Sequence, residues 1–342
     1  MPVINCKKLI EERSNAIRSY HATTINKRAQ LDVSGGIDSS VMLGLLVNAL
    51  TAKNITAVYS GICSSDESYR NAKLVSDFFN VKLITIFLTD EFWTLVGKMF
   101  DRLEEAGYLR KEISNRAKSD QTIYGSIRSC LRAPLGRGFN RLLGGGLRHG
   151  TGNECEDRWL RFYQKGGDGE VDTNPISILS KGEVYQLGVE FGIPKEILTA
   201  TPSHDLHDGE KTSSDEEEIR KLSGLNWTYS KVDPETGKYT KVGTIERMSR
   251  FLDDECIDNQ TVEKLIFNGR MKDYNRDFFI NVAKKYFPKE LKNKEILSYI
   301  YSAINIEKKT RHKYNPNCLT LGTRKNLIKK GIVTNEFPKE LL

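Results

Sequence analysis

The chain has 342 residues, 38% hydrophobic and 28% charged, enough apolar side chain for a soluble chain of this size to bury about three-quarters of its unfolded surface, which excludes wholesale disorder. Its formal net charge of +7 is uneven: residues 1–219 carry 27 basic and 30 acidic side chains, and 220–342 carry 25 and 15. Because the basic residues of the second part alternate with acidic ones, they favour a solvated basic surface near a polyphosphate site over a nucleic-acid-binding block.

The N-terminal MPVINCKKLIEERSN has no apolar signal core, and no stretch approaches the ~18 apolar residues of a membrane span. A cytosolic protein is expected. Cysteines at 6, 63, 130, 155, 256 and 318 include no C-x-x-C pair, so reduced, structural thiols are expected rather than a zinc knuckle or a disulfide framework.

In chain order, residues 30–33 predict a strand that runs into the glycine turn Gly35-Gly36, and residues 38–50 predict a helix. Residues 54–60 predict a second strand, 66–79 a helix, and 81–88, a near-continuous apolar run, a third strand of the kind buried in a parallel sheet. Helices are expected at 91–106 and 122–131, a glycine-rich strand at 142–149, and further helices at 154–163 and 181–191. The polar stretch 201–214 reads as a mobile loop ended by an N-cap at Ser214 or Asp215. Residues 227–242 predict a hairpin around DPETGK, and 244–310 predict helices. The α/β alternation implies a doubly wound parallel sheet flanked by helices, with a C-terminal hairpin and helical elaboration. The expected division is a core over 1–222, an insertion over 223–310, and a segment over 311–342 that returns to the active site.

The sharpest feature is Ser34-Gly35-Gly36-Ile37-Asp38-Ser39-Ser40 between a strand and a helix. Two glycines let backbone N–H groups close on a ligand, and the hydroxyls and helix N-terminus add donors, which makes a nest for phosphates. Asp38 would repel them unless a cation such as Mg²⁺ lies between. Neither a Walker loop nor a dinucleotide G-x-G-x-x-G is present. A second cluster follows: Gly150-Thr151-Gly152-Asn153-Glu154-Cys155-Glu156, then Lys165-Gly166-Gly167-Asp168-Gly169-Glu170-Val171-Asp172-Thr173-Asn174-Pro175, then Lys181. Glu156 could supply a second carboxylate to Mg²⁺, and Lys165 and Lys181 could offset substrate charge.

SGGIDSS resembles the pyrophosphate loop of the N-type ATP pyrophosphatases. The second cluster, Pro202-Ser203-His204-Asp205-Leu206, Asp215-Glu216 and His312-Lys313 together resemble the NAD synthetases within that superfamily, over about residues 34–315. The resemblance implies the adenine nucleotide α-hydrolase-like fold. It implies that Ser34, Gly35, Gly36, Ile37, Asp38, Ser39, Ser40, Thr151, Lys181 and Ser203 hold ATP, that Asp38 and Glu156 bind Mg²⁺, and that Lys165, Asp172, His312, Lys313 and Arg132, in preference to Arg128, contact deamido-NAD. It also implies a homodimer, with an interface role for 122–148. Three departures stand out: Asp32 replaces the family's glycine and brings another carboxylate near the phosphates, His204 replaces a small residue, and 215–312 is longer than usual.

The implied reaction joins the nicotinate carboxylate to the α-phosphorus of ATP, releasing pyrophosphate, after which ammonia displaces AMP. Asp38, Glu156 and Lys181 would carry catalysis by stabilising charge, no protein nucleophile is needed, Cys155 is expected to be structural, and 200–214 would close over the adenylate. About 30 residues precede the ATP loop, too few for a glutaminase domain, so ammonia is the expected nitrogen source. The rival readings are a tRNA-modifying pyrophosphatase, which would need paired cysteines, and a non-catalytic nucleotide sensor.

Overall fold

The structure, a computed structural model, describes residues 3, 5–120, 122–202, 214–254, 280, 281, 283–287, 289, 291–313 and 322–336. Helix α1 (Cys6–Ala22), started by Asn5 accepting the Lys8 N–H, leads to strand β1 (Ala29–Asp32) and helix α2 (Ile37–Leu50). Strand β2 (Ile55–Gly61), helix α3 (Asp66–Phe78), strand β3 (Leu83–Phe87) and helices α4 (Thr89–Glu105) and α5 (Arg110–Ser119) follow. Helix α6 (Thr122–Leu142) returns the chain to strand β4 (Leu147–His149).

The sheet is parallel throughout, in the order β3-β2-β1-β4. The chain therefore moves outward from β1 in one direction through β2 and β3, then jumps back across it to β4. Loops leaving β1 and β4 diverge at their C-terminal ends and open the crevice where ligands bind in doubly wound sheets. Strands β1 and β2 are almost wholly buried, and α2, apolar on every side, is sandwiched between the sheet and helices α1 and α7 (Lys181–Phe191). The near-continuous apolar run over 81–88, expected in a buried strand, falls instead on the edge strand β3, which is only half-buried and leaves Phe87 exposed.

Beyond α7 lie helices α8 (Lys195–Thr199) and α9 (Asp215–Ser223), the antiparallel pair β5 (Lys231–Val232) and β6 (Tyr239–Lys241), and helices α10 (Thr244–Asp254), α11 (Asn293–Thr310) and α12 (Arg324–Lys329). The expected hairpin is present, shorter than its aromatic arms. A second apolar core gathers Trp227, Ile245, Phe251 and Tyr299 around Trp159, whose ring centroid lies 4.9 Å from that of Trp227. Among the described residues no helix is long and apolar enough to cross a membrane.

Two further local expectations fail for physical reasons. The 142–149 glycine run is mostly a turn: α6 continues through Pro134 to Leu142, Gly144 and Gly145 take φ of 103° and 83°, and only 147–149 pair with β1. In place of the helix expected at 154–163 there is one π-helical turn, Glu156–Leu160, ended by Arg161 in the left-handed region. The sequence reading assigned nothing to α1 or α5.

At the end of β4 a buried histidine pair joins sheet to helix. His21 Nδ1 lies 3.1 Å from the Asn26 carbonyl, His21 Nε2 lies 3.0 Å from His149 Nε2, and His149 Nδ1 lies 2.8 Å from Thr173 Oγ1. A carbonyl only accepts, so His21 carries its hydrogen on Nδ1, His149 Nε2 donates to His21, and Thr173 donates to His149. Burial, with His21 alongside, lowers the His149 pKa to about 3. Between the unfolded value near 6.5 and about 3, the unfolded chain binds a proton that the folded chain does not. Stability therefore falls as pH drops through that window and is unaffected above it. The melting temperature is expected to fall steadily from pH 7 to pH 5, with a shallower slope in His149→Asn, read by calorimetry.

Candidate active site

The turn after β1 has the geometry of an anion nest. Gly35 has φ of 83°, and a Cβ there would lie 2.4 Å from the Ser68 carbonyl oxygen, so no other residue fits. Gly36 caps α2, and the Ser39 and Ser40 hydroxyls donate to its carbonyl at 3.0 and 2.8 Å. The hydroxyls thus brace the turn, leaving the helix N-terminus to face the crevice.

Three elements bring charge to one point. Lys181 opens α7 behind a capping box, with the Ser180 side chain accepting from the Glu183 N–H and Glu183 accepting from the Ser180 N–H. Arg324 donates to both Glu183 oxygens at 2.8 and 2.7 Å. Burial opposes the Glu183 charge, but Arg324 overcomes it and holds the pKa to about 2. A cation at a helix N-terminus is unfavourable by itself. Here the Lys181 ammonium is buried, 2.6 Å from Asp38 Oδ2 and 2.9 Å from Glu156 Oε1. Desolvation alone would lower its pKa, and the carboxylates of Asp38 and Glu156 raise it well above the ordinary lysine value. The Tyr229 ring, from the segment leading to β5, sits 5.3 Å from the ammonium.

Asn153, quoted in the GTGN motif but given no role of its own there, links the two acids: its amide donates to Asp38 Oδ1 at 3.0 Å and its oxygen accepts the Glu156 N–H at 3.2 Å. Beside them Asp157 accepts from Asn174; burial, then Glu156, pushes its carboxyl pKa well up. A Cβ on Gly152 would lie 2.3 Å from Asp157 Oδ1, so the glycine makes room for that acid.

Asp38, Glu156, Asp157 and Lys181 line a cavity of about 1160 Å³ whose wall also includes the Ser34–Ser39 turn, Arg132, Thr151, His312 and Lys313. Arg132 donates to the Ser60 carbonyl and Ser64, whereas Arg128 is buried with its guanidinium 5.8 Å from the Phe92 ring centroid. Lys313 reaches the Arg161 carbonyl at 3.4 Å, and burial lowers its pKa. Lys165 is exposed and, like Asp172, lies outside this lining; Asp172 Oδ2 accepts the Arg148 N–H at 2.7 Å. Ser203, His204, Asp205 and His207 lie outside the described residues, as does most of 200–214.

The sequence reading also placed no partner beside Asp32. That carboxylate is paired with Arg148 at 2.6 Å, so it brings no bare negative charge to the nest. Arg148 carries no motif signature, which is why the pairing could not be read in advance.

Cys155 is wholly buried in the second core, and burial, followed by Glu246 and Glu154, raises its thiol pKa well above the usual value. Such a thiol is inert. Cys155→Ala is expected to leave kcat within about twofold of the parent in a steady-state assay.

The sequence model of the NAD synthase family matches residues 9–277. A protein named NH(3)-dependent NAD(+) synthetase from Trichlorobacter lovleyi is 32% identical over 208 residues, 60% of this chain and 66% of that protein. A protein of the same name from Fusobacterium nucleatum is 27% identical over 294 residues, 85% of this chain and 95% of that one. Among solved structures, an NMN synthetase from Francisella tularensis superposes with a TM-score of 0.62 at 18% identity, over 92% of this chain and 99% of that chain.

Proposed function

The chain belongs to the NAD synthase family, and from that premise we propose that it is an ammonia-dependent NAD synthetase, converting deamido-NAD to NAD with release of AMP and pyrophosphate. The observation that carries this reading is the Asp38–Lys181–Glu156 cluster, which lines the same cavity as the Ser34–Ser39 turn. Joining an anionic carboxylate to a polyanion is the chemical difficulty, and the cluster combines cation and cation-binding groups with donors already in place.

Asp38 and Glu156 fit Mg²⁺. They are hard oxygen donors that already share one cation, and Mg²⁺ characteristically takes one or two carboxylates and completes its shell with phosphate oxygens and water. Among the described residues there is no group of three acidic, histidine or cysteine ligands, which that mode does not need. When bound, Mg²⁺ would neutralise phosphate charge and polarise the phosphorus.

The chain's own groups do the rest. The N-terminus of α2 receives the pyrophosphate portion of ATP, and Lys181, released from the acids as phosphate charge arrives, stabilises the α-phosphate as the nicotinate oxygen bonds to phosphorus and the bond to pyrophosphate breaks. Ammonia then adds to the acyl carbon and AMP leaves from it, so the amide forms without a protein nucleophile. Arg132 and Lys313 would supply positive charge to the acceptor and His312 a ring nitrogen, with Thr151 and Ser203 assigned to ATP and Lys165 and Asp172 to the acceptor. A cytoplasmic homodimer is part of the same proposal, supported by the exposed Leu142 and Leu143 at the end of α6.

The test is an incubation with ATP, Mg²⁺ and deamido-NAD, supplied in parallel with ammonium or with glutamine, reading NAD and AMP. Because a structural neighbour is named an NMN synthetase, nicotinate mononucleotide is run as a second acceptor. NAD from deamido-NAD and ammonium, lost in Asp38→Ala and Glu156→Ala, is expected. Turnover confined to the mononucleotide would reassign the acceptor, and untouched ATP in every tube would overturn the reading.

A further inference from the structure

One residue of β4 holds the acceptor-side loop together. Arg148 is 3% exposed. Its Nη1 donates to the carbonyls of Gly167 and Glu170 at 3.1 and 2.6 Å, and its Nη2 donates to Asp32 Oδ2 at 2.6 Å. Its backbone N–H donates to Asp172 Oδ2, and its carbonyl accepts the Asp172 N–H at 2.9 Å. The loop it grips is itself folded about Asp168, which accepts from Ser129 and from the Gln164 N–H. Gln164, Asp168, Gly169 and Val171 form one wall of the cavity.

The other end of the brace is Asp32, the last residue of β1 and two positions before the nest. Gln30 holds its second oxygen at 2.7 Å. Helix α6 passes so close that a Cβ on Gly136 would lie 2.7 Å from Asp32 Oδ1. A buried guanidinium needs a compensating charge, and its planar fork reaches a carboxylate with one nitrogen and two carbonyls with the other, whereas a lysine would have to serve all three from a single ammonium.

We propose that Asp32 and Arg148 are positioning residues for the acceptor substrate: their ion pair fixes the 164–172 wall against the end of β1, setting acceptor affinity separately from ATP affinity. The proposal rests on the synthetase reading for its substrate. Its geometric half stands apart from that reading, because none of the hydrogen bonds described for Arg148 reaches the Ser34–Ser40 turn and its tie to that side is Asp32. Asp32 is thereby a compensated charge with a mechanical task.

The test uses the full chain with Asp32→Asn, Arg148→Gln and the double variant. Asp32→Asn keeps an oxygen acceptor and is the mild variant, since the Asp32 side chain is one-third exposed. In Arg148→Gln the KM for deamido-NAD is expected to rise tenfold or more, with the KM for ATP within twofold and kcat within about threefold. Asp32→Asn is expected to show a smaller shift of the same kind, and the double variant no more than Arg148→Gln alone. Hydrogen exchange of the 164–172 amides, read without substrate, is expected to quicken in both single variants while the 34–40 amides keep the parent rate. Equal rises in both KM values, or unchanged 164–172 exchange in the folded variants, would overturn the proposal. A parent protein that makes no NAD would sink the synthetase reading alone, with exchange still deciding the brace.

Discussion

Replacing Lys181 with methionine is expected to lower kcat by about 10²–10³-fold, the scale seen when one preorganised charge-stabilising donor is removed. Steady-state kinetics at saturating ATP checks it, and a loss under tenfold would remove Lys181 from the chemistry. The same variant has a second signature. In the parent the ammonium lies between Asp38 and Glu156, so a divalent cation has to compete with a charge that is part of the fold. Without it the two carboxylates lose the ammonium they share, and their mutual repulsion rises unless one takes a proton or a cation fills the gap. The Mg²⁺-induced rise in melting temperature is therefore expected to be larger in Lys181→Met than in the parent, by linkage between binding and stability. An equal or smaller rise would place the metal elsewhere.

Arg250→Met is expected to destabilise the protein by about 3–5 kcal/mol, the usual cost of leaving one member of a buried ion pair behind. Arg250, on α10, donates with both terminal nitrogens to the Glu154 carboxylate, and both side chains are almost completely buried. The pair fastens the C-terminal elaboration to the residue after Asn153, and hence to the acids of the site. Chemical denaturation reads the loss, and the double variant Arg250→Met with Glu154→Leu is expected to recover most of it, because the buried carboxylate that Arg250 answers is then gone. A loss below 1 kcal/mol in the single variant would show that α10 is anchored by its apolar face alone.

Much of the fold was legible because its signals are local. The β-branched residues of β2, the need for Gly35 at positive φ in the 34–40 turn and the Ser-x-x-Glu capping box that opens α7 each lie within a few residues of chain. The expected helix over 181–191 and the helix α7 coincide for that reason. Around 142–163 the local signals misled. Glycines suggested a strand where two of them, at positive φ, make a turn, and the apolar spacing after 154 suggested a helix where the chain needs only one wide turn to direct Glu156 inward and Trp159 into the second core.

The sequence by itself determined the parallel α/β core and the glycine turn that opens α2, because each depends on neighbours a few positions apart. Tertiary structure alone decided which charges meet. Asp38 and Lys181 are 143 positions apart, Arg148 and Asp32 116, and Arg250 and Glu154 96. A buried charge requires a counter-charge, but the requirement is met in space and leaves no periodic mark along the chain. For that reason Lys181, Asp38 and Glu156 could each be named as candidates in advance, whereas their pairing with one another, and the arginine that answers Asp32, emerged only once β1, β4 and α7 were packed against one another.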